Sequence, residues 1–476
     1  METMTKEMVV ESELPKGWRV LPIEDCLAPI NGKKKVGQGW SPQCEKEASP
    51  SATQWGVLKT TAIQAGEFLE GENKLLPENL EPRPQIEVKA GDLLTTCAGP
   101  RSRCGVTCLV RETRPRLMIS GKMYRYRADK AVIDAEYLEA YLQTQQAWDA
   151  IDKMKTGGSD SGLNLTHDRF LALPIPVAPL PQQRRIVSAI ETQLGRLDAA
   201  VANLDAAKAK LKRYKQAVLK AAVEGALTEE WRAKQKRMSG AQQLLEEILA
   251  ERKHTAIKSK DKQAIAPGDD LPKLTDGWVW ASLEQIGQPN RPIIYGIIKP
   301  GPHVEDGVPY VRVTEMKDGT IDVDSLRKAS KERAAKFARA TLAAGDVLIS
   351  KDGTIGRVAV VPPELEGGNI TQHVMRAPVS RLVDRDYIVW AIRSDQCQNW
   401  LTGETRGVAL RGVNVEDFRR LPIPLPPRNE QTAIVAQVED RMARTAQLEA
   451  TLDAQLLQST RLRQAVLKRA FEGRLV

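Results

Sequence analysis

A segment from the middle of the chain recurs at its C-terminus: RYKQAVLKAAVEGALT (213–228) and RLRQAVLKRAFEGRLV (461–476) agree at ten of sixteen positions. The same offset of 248 residues superimposes LPIP at 173–176 on LPIP at 421–424, and Ile186-Val187 on Ile434-Val435, without a gap. Upstream the match persists while the offset drifts: AGDLL (90–94) matches AGDVL (344–348), and Gly17-Trp18 matches Gly277-Trp278. One extra residue rotates the rest of a helix by about 100°, whereas a loop absorbs it at little entropic cost. The gap-free part is therefore expected to be helix, and the drifting part a loop-rich globular domain. A chain of 476 residues is too long for one core, and the repeat divides it into two copies of one domain-plus-helix unit.

The prolines Pro174, Pro176, Pro179 and Pro181, and again Pro422, Pro424, Pro426 and Pro427, forbid helix before each exit and mark the junctions. Beyond the first junction, Ile190, Leu194, Leu197, Val201, Leu204, Leu211 and Val218 follow a pattern of fours and threes with a polar interruption at Lys208, which is a coiled-coil seam. The second copy runs through Val438, Met442, Leu448, Leu452, Leu456, Leu462 and Val466, less regularly in the middle. Each narrow stripe needs a partner, and the two are expected to bury each other in an antiparallel pair with pseudo-twofold symmetry. The boundaries expected are 1–181 for the first domain, 182–228 for its helix, 268–428 for the second domain and 429–476 for its helix. Between the units, 229–267 reads as an amphipathic helix, capped near Ser239 with Leu244, Leu245, Ile248 and Leu249 on one face, followed by a polar linker.

Each domain alternates short strand signals with turns, as where Val347–Ser350 and Arg357–Val361 flank Asp352-Gly353. Helix candidates at Ala135–Ala150 and Asp386–Trp400 precede the exits, so the fold class expected is α+β with an irregular, mostly antiparallel sheet. A net charge of +9 and a pI near 9.1 favour a polyanionic partner. Glycine lets backbone approach DNA, arginine can read guanine, and lysine or serine can hold phosphate. Candidate DNA-binding residues are accordingly taken from the loops: Lys33, Lys34, Lys35, Arg101, Arg103, Lys155 and Ser159 in the first domain, and Tyr295, Lys299, Lys351, Arg357, Thr405, Arg406 and Arg411 in the second.

Catalytic parts are absent from the sequence. There is no Asn/Asp-Pro-Pro-aromatic loop for an extruded base, no glycine-rich cofactor turn and no GxxxxGK[ST] loop. Glu87-Val88-Lys89 and Glu251-Arg252-Lys253 resemble the end of a nuclease motif but lack an upstream acidic partner. Cys26, Cys44, Cys97, Cys104, Cys108 and Cys397 match neither a paired CxxC site nor a disulfide scaffold, so no metal is expected. No apolar run approaches the 18 or so residues of a membrane span, and the N-terminus lacks a signal-peptide core, which predicts a cytoplasmic chain.

The Gly-Trp start, AGDLL and AGDVL, the DGTIGR-type turn, LPIP, Pro-x-x-Glu-Gln-x-x-Ile-Val at 427–435 and QAVLKAAVEGALTEEWR with its terminal echo occur together. In this the chain resembles the specificity (S) subunits of type I restriction-modification systems over nearly its whole length. The first copy departs from the pattern at Gln182, where the second has Glu430. The resemblance implies two target-recognition domains, each binding one half of an asymmetric interrupted site in double-stranded DNA, with the helices as a spacer ruler. It further implies two modification (methyltransferase) subunits and two restriction (motor-nuclease) subunits as partners. Those partners would methylate adenine and cleave with S-adenosylmethionine, ATP and Mg, while this chain binds no cofactor and performs no catalysis. A methyltransferase-only or combined cleavage-methylation system is an alternative, as is, in another class, a coiled-coil scaffold without DNA recognition.

Overall fold

The structure, a computed structural model, describes residues 14–30, 32, 34–235, 240–257, 263–268, 271–317, 319–403 and 412–476. It divides into two compact units, Met1–Asp205 with Asp453–Val476, and Ala206–Leu452. Two helices of 44 residues each, Leu180–Val223 and Arg428–Phe471, contribute to both units.

In the first unit, the proline exit is a strand. Pro174–Val177 pairs antiparallel with Arg19–Pro22, Ile175 opposite Leu21. A two-stranded pairing has room for prolines because only part of the ladder calls for an N–H. The main sheet runs Thr107–Leu109, Leu93–Thr96, Met123–Ala128 and Leu27–Ala28, with Val36–Gln38 also on Met123–Ala128. All these pairings are antiparallel; Leu117–Met118 on Gly56–Leu58 is the unit's parallel exception among the described residues. The predicted helix at Ala135–Ala150 is two, Ala135–Leu142 and Gln145–Met154. Thr144 adopts extended backbone and caps the second by accepting from the Ala147 N–H at 3.1 Å.

The second unit repeats this plan. Pro422–Leu425 pairs with Val279–Ser282, and the main sheet runs Ile294–Tyr295, Val374–Ala377, Val347–Ser350, Val358–Val360. Its candidate helix is also two, Arg385–Arg393 and Asp395–Gly403, separated by the extended Ser394. The amphipathic helix between the units forms over Ala241–Thr255 and buries Leu244, Leu245 and Ile248 in this unit's core. It is thus a layer of the second domain rather than a free connector. Ser239, the expected cap, lies outside the described residues.

Each long helix is pinned where it leaves its domain. The Gln183 amide accepts from the Asp134 N–H at 2.8 Å and donates to Ala178 O at 2.7 Å. Gln431 does the same with the Asp384 N–H (2.7 Å) and Pro426 O (2.8 Å). One residue earlier the copies diverge. Gln182 accepts the Trp18 indole N–H at 3.2 Å. Glu430, fully buried, accepts the Trp278 indole at 3.0 Å, Thr228 Oγ1 at 2.6 Å and Arg232 Nη1 at 2.5 Å. The difference has a structural role, because the Glu430 carboxylate holds the segment that follows the first long helix.

Within each unit the helix segments pair antiparallel. In the first, Asp198 bonds Arg463 while Ile186 and Ile190 share a core with Leu467, Ala470 and Phe471. In the second, Lys215 Nζ meets Glu449 Oε2 at 2.6 Å while Val218–Val223 pack with Ile434 and Val438. The predicted first seam, Ile190, Leu194, Leu197, Val201, Leu204, Leu211 and Val218, is buried or half-buried throughout, and Lys208 and Lys215 fill the remaining steps. The second seam needs correction. Leu448 and Leu462 are exposed, at 54% and 47%, whereas Thr445 and Ser459 are buried. The stripe that turns inward is Val438, Met442, Thr445, Glu449, Leu452, Leu456, Ser459, Arg463, Val466 and Ala470, an unbroken alternation of four and three. Its hydroxyls satisfy themselves on their own helix, Thr445 on Arg441 O at 2.7 Å and Ser459 on Gln455 O at 2.9 Å.

These contacts place the strongest repeat where it is most constrained. Leu467, Ala470 and Phe471 enter the core of the first domain, with Phe471 edge-on to Tyr137 (4.9 Å) and Tyr141 (5.2 Å). Their counterparts Leu219, Ala222 and Val223 enter the core of the second. Replacing Glu430 by Ala would leave the Arg232 charge and the Trp278 indole unpaired in a buried site, a loss of about 3–5 kcal/mol. Glu430→Gln keeps an acceptor for the indole and is expected to cost clearly less. Denaturant unfolding of the two variants checks this, and equal losses would contradict it.

Candidate nucleic-acid interface

The tip of the central hairpin meets the glycine-rich loop after the helix pair in the first domain, and meets Gly412-Val413 in the second. In the first, the strand Leu163–Leu165 pairs with Ala98–Gly99 on one side and with Lys155–Thr156 on the other, and the Leu165 N–H donates to Cys97 O at 2.8 Å. In the second, Asp352 bridges Gly412 and the Val413 N–H donates to Lys351 O at 3.0 Å. Of the candidates, Arg101, Arg103, Lys155 and Ser159 thus gather at one place in the first domain. Lys299 and Lys351-Asp352-Gly353 gather in the second. Lys33, Thr405, Arg406 and Arg411 lie outside the described residues.

Lys34 and Lys35 do not join this group. They lead into Val36–Gln38 at its Tyr126 end, whereas the tip projects from the Met123 end of the same ladder. Lys35 donates to Glu24 O at 2.8 Å; Lys34 is exposed. Ser159 is exposed and shares a hydrogen bond with Ser161 at 3.1 Å. Tyr295 is half-buried against the second core.

Arg103 and Arg357 turn inward. Arg103 Nη2 donates to Thr60 O and Ile63 O, both at 2.6 Å, and Nη1 to Gln64 Oε1 at 3.1 Å. Arg357 Nη1 donates to Val313 O and Met316 O, both at 3.3 Å. Both arginines span the carbonyls at either end of a single 3-10 turn, Thr60–Ala62 or Val313–Glu315. The hairpin pairing matches Arg357 with Val106, whose N–H groups donate to Ser350 Oγ and Thr96 Oγ1 respectively, and Arg103 with Thr354, so the two arginines brace like turns from different positions of the hairpin.

Arg101 and Lys155 sit in a charge-balanced quartet. Arg101 Nη1 bonds Asp152 Oδ2 at 2.6 Å and Nε bonds Asp160 Oδ1 at 3.1 Å. The Lys155 side chain, 2% exposed, donates to Asp152 Oδ1 at 2.9 Å and Arg101 O at 3.0 Å. The Lys155 hydrogen bond holds the Asp152 carboxyl below its ordinary range, and the Asp160 bond raises the Arg101 guanidinium. In the second domain, Asp352 instead takes Lys351 Nζ at 2.8 Å and His373 Nδ1 at 2.9 Å. A cleft of about 510 Å³ opens here, lined by Lys299, Thr354, Gln372 and His373 among others.

Sequence reasoning missed His373 and its counterpart Lys122. Their carbonyls accept from the N–H of Lys351 and Cys97 respectively, each at 2.9 Å, so both stand beside the tip. Lys122 is exposed. Carrying the repeat through Arg125 and Arg376 would have aligned them. Cys97 and Cys104 belong to one core and Cys108 to another. Burial pushes the Cys97 thiol up to about 12. Among the described residues no group of three His, Cys, Asp or Glu is placed to hold a metal ion, and no helix is long and apolar enough to cross a membrane.

Residues 299–458 match the family model described as the type I restriction modification DNA specificity domain. The EcoEI type I restriction enzyme specificity subunit of Escherichia coli is 41% identical over 179 residues, covering 38% of this chain and 29% of that protein. The EcoBI specificity subunit of Escherichia coli is 30% identical over 306 residues, 63% of this chain and 58% of that protein. The chain thus matches less than two thirds of the length of either relative. One solved chain, from work on complex assembly and conformational transition of the type I R-M system, superimposes with a TM-score of 0.66 at 19% identity. It covers 97% of this chain and 99% of its own length, which shows a common fold. The resemblance carried by the sequence motifs is borne out.

Replacing Arg103 by Ala removes a charged donor from two backbone carbonyls, at a cost of about 1–3 kcal/mol. Faster hydrogen exchange at Thr60–Gln64, read by mass spectrometry, is the expected signature. Unchanged exchange there would contradict the bracing role.

Proposed function

We propose that this chain, similar to the specificity subunits of type I restriction-modification enzymes, reads an asymmetric bipartite site in double-stranded DNA through its two domains and directs partner subunits to it. The observation that carries this is the repetition of one arginine-braced hairpin in both domains with different side chains at the tips. A frame kept alike with unlike tips is what two different half-sites require. Loops on a rigid scaffold can vary their contacts without disturbing the fold that presents them.

In this reading the chain is not an enzyme. Two modification subunits carry S-adenosylmethionine and methylate adenine, and two restriction subunits use ATP and Mg to cleave. The chain works in the cytoplasm, where its DNA is. The two 44-residue helices, each about 66 Å long, act as the ruler between half-sites.

A gel shift of the purified chain, alone and with modification subunits, at two salt concentrations tests the recognition. Sequence-selective binding that survives the higher salt is expected, since phosphate contacts weaken with salt and base contacts much less. Loss of all sequence preference in both forms would contradict it. For the ruler, removing one seven-residue heptad from matched positions of both helices shortens each by about 10 Å, roughly three base pairs. The half-sites should stay the same while their spacing falls. An unchanged spacing would count against the helices as ruler.

A further inference from the structure

We propose that Arg101 is a specificity-determining residue of the first domain, reading a guanine in the major groove, with Asp160 and Asp152 as the residues that position it. This rests on the DNA-recognition reading above. It goes beyond that reading by naming one side chain and the base it selects.

The guanidinium has five N–H donors in a fixed fork. Nε–H is taken by Asp160 Oδ1 at 3.1 Å and one Nη1–H by Asp152 Oδ2 at 2.6 Å. Among the described residues the other three, two on Nη2 and one on Nη1, take no partner within the chain. They form the end of the fork, where two parallel donors match O6 and N7 of guanine. The side chain is 48% exposed, so this end is accessible.

The backbone is fixed on both sides. The Arg101 N–H donates to Asp160 O at 2.9 Å, and Arg101 O accepts from the buried Lys155 ammonium at 3.0 Å. Beside it, the loop carries Gly157 and Gly158, and a side chain at Gly158 would meet nothing within 4 Å. A base edge can approach the fork past glycine without displacing bulk.

Charge decides between base and phosphate. Arg101 and Lys155 are balanced by Asp152 and Asp160, so the quartet offers a phosphate no net attraction and brings two carboxylates beside it. A neutral base edge meets no such repulsion, and its recognition depends on donor geometry, which the two carboxylates hold in place. Arg103, two residues on, is spent on Thr60 and Ile63 carbonyls and is not a second reader.

The test is selection from a random-sequence duplex library with the full chain and its modification subunits. Wild type, Arg101→Ala, Asp160→Ala and Asp160→Asn are compared, with binding of the selected duplex followed against salt. Wild type should return two half-sites. Arg101→Ala should lose preference for guanine at one position of one half-site by about 10–100-fold and keep every other position. The slope of log affinity against log salt should not change. Asp160→Ala should weaken the same position, while Asp160→Asn, which keeps an oxygen acceptor for Nε–H, should retain it. A guanine preference intact in Arg101→Ala overturns the inference. So does uniform weakening with a slope reduced by about one, the mark of a phosphate contact. Should Arg101→Ala melt below wild type, the Asp160 pair decides on its own: equal behaviour of the two variants is the overturning result. A wild-type selection without sequence preference would overturn the recognition reading as well, and that arm is seen before any variant is compared.

Discussion

Neither domain closes its core with its own segment of chain. The first is completed by Leu467, Ala470 and Phe471 from the end of the second long helix, and the second by Val218–Val223 from the end of the first. A core lacking such a plug would expose Tyr137 and Tyr141 on one side, or Ile434 and Val438 on the other, at a cost of roughly 25 cal/mol per Å² of apolar surface. Everything else depends on this exchange. It requires antiparallel pairing of the helix segments, fixes their register through Lys215–Glu449 and Asp198–Arg463, and forbids insertions between LPIP and the plug. It also explains why the strongest repeat is QAVLK to EG: that segment must fit a pocket on a domain built from a distant part of the chain.

The duplication, the proline exits, the two long helices and the α+β class were legible because each follows from period, offset or proline chemistry. The hairpin of Val347–Ser350 with Val358–Val360 was legible for the same reason. The seam of the second helix was misread because its phase is carried by Thr445, Glu449, Ser459 and Arg463. Choosing the nearby leucines Leu448 and Leu462 moves off the stripe by one residue, about 100° around the helix. The split of each domain helix was not legible because Thr144 and Ser394 act as breaks only when their backbone is extended, a tertiary choice.

Side-chain roles were the least legible. Arg101 and Arg103 lie two residues apart on one tip, yet one faces outward between two aspartates and the other inward onto backbone carbonyls. Sequence reveals that both are basic; only the fold decides which carbonyl or carboxylate is within reach. The same holds for Lys35, satisfied by the Glu24 carbonyl, and for His373, silent in sequence but bonded to Asp352 beside the second tip. The two domains thus share an arginine brace from the hairpin onto a 3-10 turn, Arg103 or Arg357, and a glutamine pin at the helix exit, Gln183 or Gln431, and differ in what the tips offer.

The most direct measurement is sequencing of adenine methylation in the host genome with and without this gene. Two domains of like frame and unlike tips predict one bipartite motif, its half-sites different and its spacing fixed, that disappears when the gene is deleted and returns on complementation. Retention of every methylated motif in the deletion strain, or the loss of only a continuous palindrome, would contradict it.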